Sequence, residues 1–244
     1  MSFTVPDEDN KVGYVPIGPL YICSVLEKAG HNVKFVDYIV ENIRKETPGL
    51  ITAPGMSGSS LEKGRMEIDY MLKVLHKEPD FIDDNTEILA MGCTSATLPL
   101  VLIICEKIRA SYPNLTIILG GVGPTGVAKE LLSSFKMIDV VVIGEGEETI
   151  VDVIENIHSD LSLVKGIGFH KNNEIVITSP RSRIKNLDAI PYPSYEKISI
   201  HNYMVNSIAA SRGCVFPCTF CDTSQFWTNN VVLRSVDNVL GELK

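Results

Sequence analysis

Residues 116–121 read Thr116-Ile117-Ile118-Leu119-Gly120-Gly121, an apolar run that ends in two glycines. The pattern returns in Asp139-Val140-Val141-Val142-Ile143, which Gly144 follows, and Glu87-Ile88-Leu89-Ala90-Met91 is a third such run. Aliphatic runs bounded by glycine are typical of parallel strands that are covered on both faces. Val33-Lys34-Phe35-Val36 is a shorter fourth candidate. These segments predict the strands of a buried parallel sheet.

Helical patterns separate the predicted strands. Apolar residues recur at helical spacing in four segments, and Gly30 is a stop signal for the first of them. Strands that alternate with helices form βαβ units with right-handed crossovers, so we expect an α/β protein with an open parallel sheet. The four predicted helices are Pro19–Ala29, Pro99–Ser111, Val127–Phe135 and Glu147–Ile157.

Two segments of the N-terminal half depart from this alternation. Only Ser2–Val5 is available for a strand before Pro6, so we expect the sheet to be cut short there. Thr47–Ser60 is rich in Gly, Pro, Ser and Thr and is predicted to be a loop, followed by an amphipathic helix from Leu61 to His76. We interpret this insertion as a long connection rather than a lid or partner surface.

The last third of the chain has a different organisation. A hairpin is predicted from Ile167–His170 and Glu174–Ile177, then a proline-stiffened connector over Asn186–Tyr195. Val205–Ser211 is predicted to be a strand, and Ser235 is a candidate N-cap of a final helix. We therefore divide the chain into an α/β domain, a hairpin with linker, and the start of a second domain, at residues 1–160, 161–200 and 201–244.

Composition and charge exclude several classes of protein. A formal charge of −8 argues against a broad surface for nucleic acid or anionic membranes. The longest apolar stretches, such as Leu98–Cys105, are far below the roughly 18 residues of a membrane span. No basic segment followed by an apolar core begins the chain. We expect a cytoplasmic protein without a membrane span.

The six cysteines fall into two groups. Three are scattered among aliphatic residues, where a cysteine behaves as a small buried hydrophobic residue. The other three, Cys214, Cys218 and Cys221, form a C-x3-C-x2-C pattern after the predicted strand. Clustered cysteines without an export signal indicate metal chemistry more than disulfides. Thiolates suit both zinc and iron–sulfur clusters, but a closed site of either kind normally has four ligands and only three are local.

This cysteine loop resembles that of the radical S-adenosylmethionine superfamily, including an aromatic residue, Phe220, just before the third cysteine. The resemblance implies that Cys214, Cys218 and Cys221 hold three irons of a [4Fe–4S] cluster. It further implies that the fourth iron binds S-adenosylmethionine, that Phe220 lies near its adenine, and that an external donor such as flavodoxin or ferredoxin supplies electrons. A small molecule or peptide is the expected substrate class. Two alternatives stay open: a zinc site with a distant fourth ligand, and three unrelated thiols.

Earlier motifs resemble the cobalamin-binding domain that precedes many radical S-adenosylmethionine enzymes. The resemblance implies a Rossmann-like (flavodoxin-like) sheet with cobalamin at its edge, in a family that transfers methyl groups or performs radical rearrangements. Only the first βα unit of that family's partial TIM-like barrel is recognisable here, so we expect a fragment or truncated product that does not turn over alone. The motifs are Pro16-Ile17-Gly18-Pro19-Leu20, Leu26-Glu27-Lys28-Ala29-Gly30-His31, Gly92-Cys93-Thr94-Ser95-Ala96-Thr97, Leu119-Gly120-Gly121-Val122-Gly123-Pro124 and Val142-Ile143-Gly144-Glu145-Gly146-Glu147.

Most of these segments lie where a predicted strand meets a helix, which is the ligand crevice of an open α/β sheet. Glycines there permit close backbone approach, and hydroxyls beside a helix N-terminus offer hydrogen bonds. Glycines end strands in every such fold, however, so the residues alone leave ligand binding open. The candidate cobalamin contacts are Thr94, Ser95, Thr97, Gly120, Gly121, Gly144, Glu145 and Gly146.

The loop Asp7-Glu8-Asp9-Asn10-Lys11-Val12-Gly13 lacks the axial histidine that many cobalamin domains carry in a D-x-H-x-x-G loop. The resemblance therefore implies base-off cobalamin without a histidine ligand, with Asn10 and Gly13 as candidate contacts. Glu147 and Glu148 are interpreted as helix-start residues, and Arg181 to Lys185 as a solvated face. The competing functions are a non-catalytic cobalamin-binding module with a vestigial cysteine loop, and a zinc-stabilised α/β domain.

Overall fold

A five-stranded sheet organises the computed structural model, which describes residues 12–37, 81–221, 223 and 226–244. Its strand order is β2-β3-β4-β5-β6. The first three strands are parallel, whereas β5 and β6 are antiparallel to their neighbours. The strands are β2 (Ile88–Gly92), β3 (Thr116–Gly120), β4 (Val140–Val142), β5 (Ile167–Lys171) and β6 (Glu174–Ile177).

Helices cover both faces of this sheet, and the alternation of side chains along the strands explains why. Ile117 and Leu119 of β3 pack on one face with α2 and α4, while Ile118 between them packs on the other face near α5. Because both faces are buried, β2, β3 and β4 are almost entirely apolar. The helices are α1 (Ile17–Lys28), α2 (Leu98–Ser111), α3 (Val122–Thr125), α4 (Ala128–Ser134) and α5 (Glu147–Asn156).

The predicted hairpin is confirmed, and it continues the main sheet. β5 pairs with β4 in an antiparallel register that joins Val141 to Gly168. Asn172 and Asn173 both adopt positive φ, as a two-residue hairpin turn requires. Ile167 and Phe169 are buried in the core. The predicted parallel sheet is therefore a mixed sheet in which the parallel strands predominate.

Two short sheets hold the rest of the chain. β1 (Val12–Tyr14) runs parallel to β7 (Tyr203–Val205), and β8 (Ser211–Gly213) runs antiparallel to β9 (Val231–Leu233). A final helix, α6, spans Val236–Glu242, and the predicted N-cap is confirmed because the Ser235 side chain accepts a hydrogen bond from the backbone N–H of Asn238.

Two strand predictions are wrong. Val33–Val36 forms no strand, and the carbonyl oxygen of Val33 instead accepts a 2.7 Å hydrogen bond from Nζ of Lys197. The predicted strand Val205–Ser211 is divided between β7 and β8. These two strands pair with different partners, so the chain must leave one ladder before it enters the other.

Several predicted segments lie outside the described residues, namely the strand Ser2–Val5, the loop Thr47–Ser60 and the helix Leu61–His76. Within the described part of the chain, no helix is long and apolar enough to cross a membrane.

Candidate cofactor site

A cavity of about 1230 Å³ opens at the carboxyl ends of β2, β3 and β4. This is larger than the 300–1,000 Å³ that is usual for pockets of small ligands. Among the predicted contacts, those that line it are Thr94, Thr97, Gly120, Gly121, Gly144, Glu145 and Gly146. Gly18 and Pro19 of α1 complete that wall.

Glycines of the β3–α3 loop bring two pieces of backbone together. A Cβ atom at Gly121 would lie 2.6 Å from the carbonyl oxygen of Cys93, and one at Gly123 would lie 2.6 Å from the carbonyl carbon and oxygen of Thr94. The N–H of Gly123 donates a 3.1 Å hydrogen bond to the Cys93 carbonyl. The missing side chains at Gly121 and Gly123 thus allow the backbones of the two segments to pack closely.

Space over other glycines is open. A Cβ atom at Gly18 or Gly144 would meet nothing within 4 Å, and Gly144 has a φ of +86°. Thr125, which the sequence reasoning missed, connects the segment at Gly121 to the segment at Gly144. Its hydroxyl donates a hydrogen bond to the carbonyl of Gly121 and accepts a 3.1 Å hydrogen bond from the N–H of Gly144. No side chain therefore projects from Gly18 or Gly144, and Thr125 fixes the backbone at Gly144.

The predicted hydroxyls of the β2–α2 loop bond to one another. Oγ1 of Thr94 lies 3.2 Å from Oγ1 of Thr97, and the N–H of Thr94 donates to Oγ1 of Thr97 at 3.0 Å. Ser95 is exposed. Gly13 lies in β1, which pairs with β7, and Asn10 is outside the described residues.

The cysteine loop begins directly after β8, and this strand also lines the cavity. Ser211, Arg212 and Gly213 face the cavity, and Phe226 and Trp227 line it from beyond the loop. The two rings meet edge to face, with 4.7 Å between their centroids. The structure therefore places the residues that flank the predicted cysteine motif in the same cavity as the predicted cobalamin edge.

Within the loop, Cys218 is exposed and Cys214 and Cys221 are half-buried. The N–H of Cys221 donates a 3.2 Å hydrogen bond to the carbonyl of Cys218, which forms a tight turn between two of the thiols. Phe220 is 89% exposed. Among the described residues, no three His, Cys, Asp or Glu side chains already converge on a point that could hold a metal ion.

Charged residues at the cavity rim form a buried group that the sequence reasoning missed. The Arg212 guanidinium lies 2.6 Å from the Glu147 carboxylate and 3.3 Å from that of Glu145. Burial acts to lower the pKa of Arg212, but these two carboxylates outweigh it, and the pKa is raised. Arg183 also pairs with Glu145. Glu147 does begin α5, as predicted, but Arg181 and Arg183 are largely buried in ion pairs rather than solvated.

The three cysteines outside the motif are expected to be far less reactive than those within it. Cys23, Cys93 and Cys105 are buried, and burial raises the pKa of these thiols to about 11, 12 and 12. Since the thiolate is the reactive species, they are expected to resist alkylation in the native chain. The motif cysteines are far more accessible.

We therefore expect native, cluster-free protein in mildly alkaline buffer to take up iodoacetamide at Cys214, Cys218 and Cys221. Unfolding in urea should expose all six cysteines, and peptide mass spectrometry would assign the labels. Rapid labelling of Cys93 in the native state would contradict the buried position of this thiol.

The family profile described as the B12 binding domain matches residues 11–154, more than half of the chain. The chain belongs to the B12-binding domain family. The predicted family resemblance is thus confirmed, and the matched residues include α1 and β2 to β4, which contribute much of the cavity lining.

Relatives of this B12-binding domain chain are longer proteins. It is 26% identical over 245 residues to an anaerobic magnesium-protoporphyrin IX monomethyl ester cyclase of Cereibacter sphaeroides, covering 94% of this chain and 34% of the relative. A protein of the same name from Synechocystis is 36% identical over 145 residues, 56% of this chain and 28% of the relative. The chain thus spans about a third of the length of these relatives.

Solved structures share the fold over most of the chain. A radical S-adenosylmethionine methyltransferase, TsrM, from Kitasatospora setae, with cobalamin and a [4Fe–4S] cluster bound, matches with a TM-score of 0.63 at 15% identity, over 94% of this chain and 42% of that one. The cobalamin-dependent S-adenosylmethionine radical enzyme OxsB, with aqua-cobalamin and S-adenosylmethionine bound, matches with a TM-score of 0.65 at 20% identity, over 94% and 28%.

Proposed function

We propose that this chain binds cobalamin in the cavity at the sheet edge and a [4Fe–4S] cluster on Cys214, Cys218 and Cys221. In this proposal it is the cofactor-binding part of a methyltransferase-like, cobalamin-dependent radical S-adenosylmethionine enzyme that acts on a small molecule or peptide. The observation that carries the proposal is the shared cavity: the B12-binding domain forms one wall and the strand that leads into the cysteine loop forms another.

The cavity fits cobalamin in size and surface. Its volume of about 1230 Å³ accommodates a macrocycle, and the open space over Gly18 and Gly144 provides flat walls for a ring. Tyr21, Ile22 and Ile118 contribute apolar lining. Polar groups of Thr94 and Thr97 are at the rim, where a substituted ring needs hydrogen-bond partners.

The cysteine loop fits an iron–sulfur cluster by its donors. Three soft thiolates on one short loop can wrap three corners of a cubane, and a fourth iron would stay open for the amino and carboxylate groups of S-adenosylmethionine. The exposed Cys218 and Phe220 leave this side of the loop accessible. An external electron donor such as flavodoxin or ferredoxin would reduce the cluster.

When bound, the two cofactors would supply a methyl group and one-electron reduction of S-adenosylmethionine. The chain's own residues would hold them in place: the glycine loops shape one part of the cavity, Phe226 and Trp227 line another, and the cysteines would bind the iron. Positioning of this kind is the main contribution of a protein to cofactor chemistry.

The cluster half of the proposal is tested by anaerobic reconstitution with iron and sulfide. We expect the broad visible absorption of an iron–sulfur cluster in the wild type and its loss in Cys218→Ala. The loop has only three cysteines, so no other thiol of the loop can replace the one that is removed. Cys105→Ala is the matched control, since this buried thiol is remote from the loop in sequence. Stoichiometric zinc after native purification, with no iron uptake, would favour the zinc-stabilised domain and overturn this half.

The cobalamin half has an intrinsic probe, because Trp227 is the only tryptophan of the chain and lines the cavity. Hydroxocobalamin absorbs where tryptophan emits, so binding should quench this emission and shift the cobalamin spectrum toward the base-off form. Trp227→Phe should abolish the emission and retain the spectral shift. Absence of both changes at saturating protein would contradict cobalamin binding. Cobalamin binding without any cluster would favour a non-catalytic module.

A further inference from the structure

Four charged side chains are buried together between the B12-binding domain and the cysteine loop. Glu145 lies at their centre, 3.3 Å from Arg212 and 3.7 Å from Arg183, and Glu147 contacts Arg212 at 2.6 Å. The Glu145 and Arg212 side chains are only 6% and 11% exposed. The backbone N–H of Ile184 donates a further 2.8 Å hydrogen bond to Glu145. Two positive and two negative charges therefore compensate one another out of water.

Each arginine connects this group to a different part of the cysteine region. Arg212 lies in β8, two residues before Cys214, and its guanidinium stacks over the ring of Tyr21 at 4.9 Å. Arg183 donates hydrogen bonds of 3.0 and 2.8 Å to the carbonyls of Trp227 and Asn230 and stacks over the Trp227 ring at 4.9 Å. The segment that carries the three cysteines is thus held on both sides.

We expect such a group to fix the relative position of the segments that it joins rather than to stabilise the fold. Desolvating charges costs several kcal/mol per ion, roughly what their attraction returns, so buried ion pairs are weak stabilisers. Loss of one partner, however, leaves the others uncompensated. An arrangement of this kind admits one relative position of the two segments and penalises the alternatives.

We propose that Arg183 and Arg212, both anchored on Glu145, are positioning residues that hold the cysteine loop and the Trp227 turn over the cavity. The bound cobalamin and the cluster would thereby face each other at a set distance. This inference rests on the proposed function. Among the described residues, those lining the cavity include Arg212 and Trp227 but not Arg183, so Arg183 would act on the site solely through Trp227 and Glu145.

The test measures two quantities separately: the distance between Trp227 and cobalamin, and the affinity of the protein for cobalamin. Full-length wild type, Arg183→Gln, Arg212→Lys and Arg212→Gln are each saturated with hydroxocobalamin, and the residual Trp227 emission is measured. Affinity is measured independently by equilibrium dialysis. Arg181→Gln is the matched control, because Arg181 pairs with Glu148 and Asp152 on the same helix but touches neither Trp227 nor β8 in the contacts of the described residues.

We expect residual emission at saturation to rise above that of wild type and of Arg181→Gln in both Arg183→Gln and Arg212→Gln. The dialysis Kd of Arg183→Gln should stay near that of wild type, because Arg183 does not line the cavity. Arg212→Lys should give an intermediate residual emission, because lysine keeps the positive charge but loses the bidentate geometry of the guanidinium. Unchanged quenching in both glutamine variants would overturn the inference and leave cobalamin binding intact. Failure of the wild type to bind hydroxocobalamin in dialysis would instead overturn the proposed function, and the inference with it.

Discussion

Arg234→Met is expected to reduce the free energy of unfolding by about 3–5 kcal/mol, the usual cost of breaking a buried ion pair by removing one partner. Arg234 forms an ion pair with Glu242, and the two side chains are 3% and 1% exposed. Its guanidinium also bonds to the side chain of Asn238, the carbonyl of Ala209 and the hydroxyl of Tyr21. Methionine preserves much of the apolar stem but leaves the Glu242 carboxylate without its cation.

The expected consequence extends beyond α6. Tyr195 donates a 2.6 Å hydrogen bond to Glu242, so this pair connects the final helix to the connector and, through Tyr21, to α1. Burial, with the adjacent Glu242 carboxylate, raises the pKa of Tyr195, which keeps this hydroxyl a donor at neutral pH. Urea denaturation followed by circular dichroism measures the change, provided the slope stays constant.

Two controls sharpen this experiment. The exposed pair of His158 and Glu87, 3.9 Å apart with side chains 82% and 80% exposed, should contribute little, and Glu87→Gln should change stability by less than about 0.5 kcal/mol. The double variant Arg234→Met/Glu242→Leu should recover part of the loss, because no buried charge remains uncompensated. Equal stability of Arg234→Met and wild type would contradict the buried ion pair.

Gly123→Ala is expected to disturb the backbone contact with Thr94 and Ser95 beside the cavity, and thereby to weaken cobalamin binding. Its Cβ atom would lie 2.6 Å from the carbonyl of Thr94 and 2.9 Å from the backbone nitrogen of Ser95, and backbone atoms cannot rotate away as a side chain can. Overpacking of this kind costs about 1–3 kcal/mol. Where the overpacking destabilises the cobalamin-bound state, each 1.4 kcal/mol corresponds to about a tenfold increase in the Kd for cobalamin.

Gly126→Ala is the matched control, three residues along the chain. Its Cβ atom would meet nothing within 4 Å, and its φ of −78° suits any residue. We expect wild-type affinity in equilibrium dialysis for this variant and weaker binding for Gly123→Ala. Identical affinities of both variants for cobalamin would show that the segments at Thr94 and Gly123 can move apart without weakening cobalamin binding.

Prediction from sequence succeeded where a pattern is local. The apolar runs and their glycine ends located β2 to β4 within a few residues, and α2 and α5 begin within one residue of the predicted positions. The hairpin followed from two adjacent asparagines that tolerate positive φ. The C-x3-C-x2-C spacing identified the candidate ligands without any structure, because one short loop carries all three.

Prediction failed where the partner of a segment is distant in sequence. Val33–Val36 has the residues of a strand but no ladder in the described structure, and Val205–Ser211 is divided because its ends pair with β1 and β9. Arg183 was assigned to a solvated face since its carboxylate partner is 38 residues away in the numbering.

The sequence by itself determined the family, the sheet-forming segments and the candidate cluster ligands, because each depends on short-range spacing or on motif order. Only the tertiary structure decided that the glycine loops and the strand before the cysteine loop line one cavity, that backbone packs closely at Gly121 and Gly123, and that Glu145 connects two arginines. These features depend on contacts between segments that are far apart in the chain, and side-chain burial and charge pairing are set by such contacts.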